Sequence, residues 1–338
     1  MTGNLLVAQS GGPTAVINAS LAGVAQTAIA SRQIAGVYGA VHGILGVLNE
    51  ELVDLRREEP TALAYLKGTP GAALGTSRLK LKSAHYGRLL DVFQAHDIRY
   101  FAYIGGNDSM DTAHQVGALA RSRGYEMHVM GVPKTVDNDL TLTDHCPGYG
   151  SAARFVAATM RDTGLDSRAG ALSTPVKIVE IMGRHAGWLT ASAALARQDI
   201  PDGAPHLIYV PERPITLDIF LSEVARAHQR LGHVVIALSE GVRDPAGEFL
   251  GATSKAQDAF GHQQLGGVSA ILAGEVTARL GLKARFEKPD TMQRSSASLL
   301  SQTDLAEAYL VGQMAVEAML AGVSDKMVAL ERQPGAAY

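Results

Sequence analysis

A chain of 338 residues with 46% hydrophobic and 19% charged side chains is long enough for two domains and too apolar for a disordered or fibrous protein. Thirty Lys and Arg against 33 Asp and Glu leave a net charge of −3, without the basic excess of proteins that track nucleic-acid phosphates, so no nucleic-acid partner is expected. A single cysteine, Cys146, excludes an internal disulfide framework and favours a reducing, cytoplasmic setting; with no leader-like start and no run of about 18 apolar residues, neither targeting nor a membrane partner is expected.

In chain order, Leu5–Ala8 is a strand-length apolar run that leads into Ser10-Gly11-Gly12-Pro13-Thr14 and a helix over Ala15–Ile29. Such an order aims backbone N–H groups and the positive end of a helix at an anion. Glycine pairs are also common in ordinary strand-to-helix turns, so both readings stand for this loop alone. A helix over Leu89–His96 precedes the strand Phe101–Ile104, which ends in Gly105-Gly106-Asn107-Asp108-Ser109 and a helix over Asp111–Arg121. Two glycine loops at the ends of strands point to a polyphosphate, with Asp108 as an oxygen ligand for Mg2+ or, alternatively, the acid of an Asx-turn or helix cap. The strand Met127–Val132 runs into Pro133-Lys134-Thr135-Val136-Asp137-Asn138-Asp139. If this stretch is extended, Thr135, Asp137 and Asp139 share one side, where a carboxylate can accept a hydroxyl proton while Lys134 supplies positive charge; a solvated polar turn is the other reading.

Residues 141–150, with Pro147, Gly148 and Gly150, mark a first domain crossing, and a second falls near residues 294–301. Between them we expect helices at Ser151–Thr163, Gly187–Arg197, Leu217–Arg230 and Gln263–Leu280, with strands at Val176–Ile181, His206–Val210 and His233–Leu238. The strand Val176–Ile181 opens into Met182-Gly183-Arg184, whose guanidinium fork matches phosphate oxygens. Residues 281–293 read as a loop feeding the cleft; a helix at Asp304–Leu320 and a strand at Met327–Leu330 finish the chain. The repeated strand, turn and helix order predicts an α/β fold of two doubly wound, Rossmann-like domains with mainly parallel sheets. Eleven histidines lack a metal-ligand spacing and no serine sits in a nucleophile elbow, which disfavours metal hydrolysis and a serine triad.

The motifs SGGPT, LGTSR (Leu74–Arg78), GGNDS, PKTVDND, MGR, PER and MQR resemble those of the phosphofructokinase family, in the family's order over nearly the whole chain. The resemblance implies a phosphofructokinase-like fold with fructose 6-phosphate between two domains, phosphoryl transfer to its 1-hydroxyl, and Mg2+. It implies a donor-binding domain of residues 1–148 plus about 298–322, and a sugar-phosphate domain of residues 149–297 plus about 323–338. By matching motif, Asp137 is similar to the family's general base, with Lys134 and Arg184 as charge stabilisers. Thr135, Asp139, Met182, Gly183, Glu212 and Arg294 resemble its sugar-phosphate contacts. Arg285 is similar to an arginine that reaches the 6-phosphate of a neighbouring subunit, so a homodimer or homotetramer is implied. Gly11, Gly12, Arg78, Gly105, Gly106 and Asp108 resemble the donor side, with Asp108 and Asn107 as the metal positions.

Family members that use ATP generally carry glycine at the positions of Asp108 and Lys134, whereas those that use pyrophosphate carry Asp and Lys. A carboxylate at Asp108 repels the α-phosphate of a nucleotide, and the Lys134 ammonium pairs with an inorganic donor, so pyrophosphate is the expected donor and the reaction is expected to be reversible. The alternatives are an ATP-dependent 6-phosphofructokinase and a non-catalytic sugar-phosphate sensor; an NAD kinase reading of GGND is opposed by PKTVDND and MGR. The chain departs from the family at Asn107, usually a Mg2+-binding aspartate, at Pro175, usually a second cross-subunit arginine, and at Thr291, usually His or Tyr. Lys177 is a candidate substitute for the missing arginine. Ala22 and Gln26 stand where nucleotide-regulated bacterial members carry arginines, so no control by ADP is expected.

Overall fold

The structure, a computed structural model, describes residues 1–77, 79–250 and 267–335. In chain order its elements are β1 (Gly3–Gln9), α1 (Ile17–Ala30), β2 (Ile34–Ala40), α2 (Ile44–Asn49), β3 (Leu52–Asp54), α3 (Pro60–Leu66), α4 (Ser83–Ala95), β4 (Ile98–Gly105), α5 (Asn107–Ser122), β5 (His128–Pro133) and α6 (Tyr149–Ala169). Next come β6 (Val176–Ile181), α7 (Trp188–Ser192), β7 (Leu207–Tyr209), α8 (Leu217–Leu231), β8 (Val234–Ser239), α9 (Val268–Leu280), β9 (Ala284–Glu287), α10 (Met292–Ser295), α11 (Gln302–Leu320) and β10 (Lys326–Met327). They divide into two units, Met1–Ser151 with Leu300–Tyr338, and Ala152–Leu299.

The first unit holds a six-stranded sheet ordered β10-β5-β4-β1-β2-β3, parallel except for β3, which runs antiparallel to β2. On β1, Leu5 and Val7 enter one apolar cluster while Leu6 and Ala8 enter another, so both faces of the strand are covered. That double burial explains an uninterrupted apolar run where a half-exposed strand would alternate. Each such leucine contributes about 1.5–3 kcal/mol by leaving water. The chain winds from β1 to β2 on one side and from β4 to β5 on the other, which makes the carboxyl ends of neighbouring β1 and β4 a topological switch point. Helices α1 and α11 cross so closely that a Cβ at Gly23 would stand 2.1 Å from the Tyr309 carbonyl oxygen, and one at Gly312 2.2 Å from that of Ser20.

The second unit holds a parallel sheet ordered β7-β8-β6-β9, with Val176, Ile178, Val234, Ile236 and Leu238 in a single core. Strands β6 and β8 are neighbours, so the segments after Ile181 and after Ser239 emerge side by side.

The structure corrects several expectations. Strand β2 escapes the sequence pattern because Gly36 and Gly39 dilute its apolar run. The expected loop at 281–293 contains β9, an edge strand whose exposed Arg285, Phe286 and Glu287 hide any strand-like burial pattern. Helix α5 begins at Asn107, four residues earlier than expected, which brings Asp108 into its first turn. The helix expected over Gly187–Arg197 is a five-residue α7 followed by a 3-10 segment, Ala193–Arg197. Helix α9 starts at Val268; the earlier residues 263–266 of the expected helix lie outside the described residues. The tail at 323–338, expected with the sugar-phosphate domain, falls in the first unit, because β10 pairs with β5 through Lys326–Met130 and Met327–Gly131.

Candidate active site

In the first unit the two glycine loops meet at the switch point. Ser10 donates its backbone N–H to the Ile104 carbonyl at 2.9 Å, and the buried hydroxyls of Ser109 and Ser10 are bonded at 2.9 Å. Gly105 has to be glycine, since a Cβ there would lie 2.0 Å from the Ser109 hydroxyl oxygen. Gly11 adopts φ +74°, a left-handed backbone that glycine takes without strain. Beneath these loops Tyr103 is buried and its phenol is pushed up to about 12, first by burial, so it stays neutral across the physiological range.

Lys134 follows β5 and is 4% exposed; its Nζ donates to the Gly12 carbonyl at 3.0 Å and stands where a Cβ on Gly11 would meet it at 3.1 Å. Its backbone N–H donates to the Gly105 carbonyl at 3.0 Å, so one residue ties the PKTVDND segment to both glycine loops. Gly106 precedes α5 without a side-chain cap, leaving backbone donors and the positive helix end at the loop, with Asp108 exposed in the first turn. Asn107 donates its Nδ2 to Asp139 Oδ2 at 2.9 Å, which joins the donor loop to the acidic segment. Asp137 donates its backbone N–H to Thr135 Oγ1 at 3.1 Å.

Gln9 and Asn18, both buried, carry the loop that leads to Arg78. Gln9 Oε1 accepts the Leu74 N–H at 3.0 Å, and Asn18 Oδ1 accepts the Ala73 N–H at 2.9 Å. Arg78 itself lies outside the described residues.

In the second unit Met182, Gly183 and Arg184 form a turn after β6. Gly183 has φ +131° and a Cβ there would meet the Ala186 carbonyl oxygen at 2.4 Å. The turn is held by two residues that sequence reasoning did not single out. Glu240, at the end of β8, accepts the Gly183 N–H at 3.3 Å, and Gln293 accepts the Met182 N–H at 3.2 Å through Oε1. Burial raises the Glu240 carboxyl above its usual range, against the Gly183 hydrogen bond and the Arg184 charge. The available signals were an acid directly after an apolar strand for Glu240, and membership of the MQR run for Gln293. Arg294 follows Gln293 in α10. Glu212 accepts the Gly187 N–H at 2.7 Å and so supports the start of α7.

Arg285 stands apart from this cluster. It pairs in register with Lys177, five residues before Met182 along β6, which is about 16 Å of strand. Lys177 forms ion pairs with Asp166 at 3.0 Å and Glu287 at 2.9 Å.

Oxygen ligands for a hard cation are present in the first unit. With its Nδ2 turned to Asp139, Asn107 keeps a carbonyl oxygen, and Asp108 beside it is an exposed carboxylate. No group of three or more acidic, His or Cys side chains suited to a metal occurs among the described residues. Such a donor set fits Mg2+ held by one or two protein oxygens and substrate phosphates, and does not fit an all-protein cage. Among the described residues no helix is long and apolar enough to cross a membrane.

Two doubly wound α/β units, one with paired glycine loops and a buried lysine, the other with a glycine and arginine turn, define a protein of the phosphoryl-transfer class. The sequence pattern described as Phosphofructokinase matches residues 4–319, and the chain belongs to that family. It is 50% identical to a pyrophosphate–fructose 6-phosphate 1-phosphotransferase of Xanthomonas campestris pv. campestris, over 99% of this chain and 81% of that one. Its identity to the enzyme of the same name from Halomonas elongata is 45%, over 97% and 80%. The crystal structure of a pyrophosphate-dependent phosphofructokinase from Marinobacter aquaeolei superposes with a TM-score of 0.85 at 42% identity, covering 95% of this chain and 77% of that one.

Proposed function

We propose that this protein transfers a phosphoryl group reversibly from pyrophosphate to the 1-hydroxyl of fructose 6-phosphate, giving fructose 1,6-bisphosphate and phosphate. The observation that carries the donor choice is Lys134, whose buried ammonium is lodged against the Gly11 and Gly12 loop, together with the Asp108 carboxylate in the first turn of α5. A cation at that loop favours an inorganic donor, and a carboxylate at the helix start opposes the extra phosphate of a nucleotide. The activity for which these relatives are named supports the same reading.

In this reading the donor is bound through Gly11, Gly12, Arg78, Gly105, Gly106 and Asp108, and the sugar phosphate through Thr135, Asp139, Met182, Gly183, Arg184, Glu212 and Arg294. Asp137 takes the proton of the attacking 1-hydroxyl, and Lys134 and Arg184 balance charge on the group in transit. Asp108 and Asn107 would hold Mg2+, which neutralises phosphate charge when bound. Arg285, remote from its own turn after β6, serves the 6-phosphate in a neighbouring subunit, so the working form is a homo-oligomer. The reaction takes place in the cytoplasm, in keeping with the single buried thiol.

The decisive experiment follows fructose 1,6-bisphosphate formation by purified protein with pyrophosphate or ATP as donor. We expect turnover with pyrophosphate, dependence on Mg2+, and a measurable reverse reaction from phosphate. Turnover with ATP alone would refute the donor assignment; tight fructose 6-phosphate binding with no turnover on either donor would favour a sensor.

A further inference from the structure

We propose that Asn138 is a positioning residue for Asp137, fastening the segment that carries the base to a rigid frame. The inference rests on the reading of Asp137 as base. Asn138 adopts φ +55°, a left-handed backbone that asparagine tolerates and most side chains resist. Its Oδ1 accepts the backbone N–H of Cys146 at 2.8 Å. On the other side of Asp137, Thr135 donates its N–H to the Pro147 carbonyl at 3.2 Å and pairs with Gly148 in an isolated parallel bridge. The residues flanking Asp137, at 135 and 138, are therefore both bound to the stretch 146–148.

That stretch is itself anchored. The buried carboxylate of Asp304 accepts the Gly148 N–H at 2.8 Å and both the N–H and hydroxyl of Ser151, at 2.8 and 2.6 Å. Three residues before Cys146, Thr143 Oγ1 accepts the Leu330 N–H at 2.9 Å, and the Asp144 N–H donates to the Leu330 carbonyl at 2.9 Å. Cys146 is fully buried, so its N–H has no water to turn to and depends on Asn138 for a partner. The Asn138 carboxamide thus ties the turn after Asp137 to this frame, and a base must be held to well under an ångström to accept a proton in the transition state.

Asn138→Gly keeps the left-handed backbone accessible and removes the acceptor. We expect kcat to fall about ten- to a hundredfold while KM for pyrophosphate stays within about twofold. Asn138→Asp restores an oxygen acceptor and tolerates the same backbone, so it should recover most of that kcat; its added charge beside Asp137 should move the acidic limb of the pH–rate profile to higher pH. A purely structural role would lower kcat and raise both KM values together, with no recovery in Asn138→Asp, and that pattern would overturn the proposal. So would a kcat for Asn138→Gly within about twofold of the parent in an enzyme that Asp137→Ala inactivates. Full turnover in Asp137→Ala would instead strike down the base assignment, and this inference with it.

Discussion

At the scale of single residues, the proposed donor choice rests on two side chains held by different means. Lys134 is buried and bonded to the Gly12 carbonyl, so its ammonium is fixed in place; Asp108 is exposed in the first turn of α5, beside the positive end of the helix. Replacing both by glycine removes the cation proposed to prefer an inorganic donor and the carboxylate proposed to repel a nucleotide. We expect Asp108→Gly with Lys134→Gly to lose most turnover with pyrophosphate and to gain detectable turnover with ATP, read as the ratio of kcat/KM for the two donors. An unchanged ratio would show that neither residue selects the donor. These two positions were legible in the sequence as polar positions just after apolar strands, and their donor role was implied by the resemblance. Glu240 and Gln293 were not, because their contribution is to bond the backbone of Gly183 and Met182, a contact between segments more than 50 residues apart.

At the scale of elements, β7 is held to its neighbour by a half-buried histidine. His206 Nδ1 accepts the Val235 N–H at 2.8 Å, its Nε2 faces the Asp202 carbonyl at 3.2 Å, and its ring meets His233 edge-on at 4.9 Å. Burial first, and then the neighbouring His233, push His206 down to about 4. Because the folded value lies below the unfolded value of about 6.5, the unfolded chain binds the extra proton between them; the contribution is complete above about pH 6.5 and is lost as pH falls toward the folded value. His206→Gln keeps an acceptor without titrating, so the drop in Tm between about pH 7 and 4.5 should be smaller in this variant than in the parent. Equal drops would place the acid sensitivity elsewhere. This histidine had no signature in the sequence, unlike β1, β4, β5, β6 and β8, whose double-sided burial writes continuous apolar runs. Strands β2 and β9 were illegible for opposite reasons, glycines within the first and exposure at the sheet edge for the second. The early start of α5 was missed because Asn107 to Met110 look like loop residues until their N–H groups bond back; those of Ser109 and Met110 both reach the Gly106 carbonyl, at 3.0 Å.

At the scale of the whole molecule, the placement of Arg285 makes a statement about assembly that a single chain can be made to test. It lies on the edge strand β9, exposed, about 16 Å of strand before the turn at Met182, apart from the residues proposed to bind the sugar phosphate. If it serves a neighbour across a two-fold axis, each site draws Asp137 from one subunit and Arg285 from the other. Arg285→Ala alone should then raise KM for fructose 6-phosphate more than tenfold while KM for pyrophosphate changes little. Asp137→Ala alone should be almost inactive. Mixed in equal amounts and allowed to exchange subunits, the two variants form hybrids in which one site has neither substitution and the other has both. At a fructose 6-phosphate concentration too low for the Arg285→Ala site, the mixture should therefore regain roughly a quarter of parental activity, the product of half the dimers being hybrid and half their sites intact. If Arg285 acts within its own chain, no hybrid contains an intact site, and mixing restores nothing.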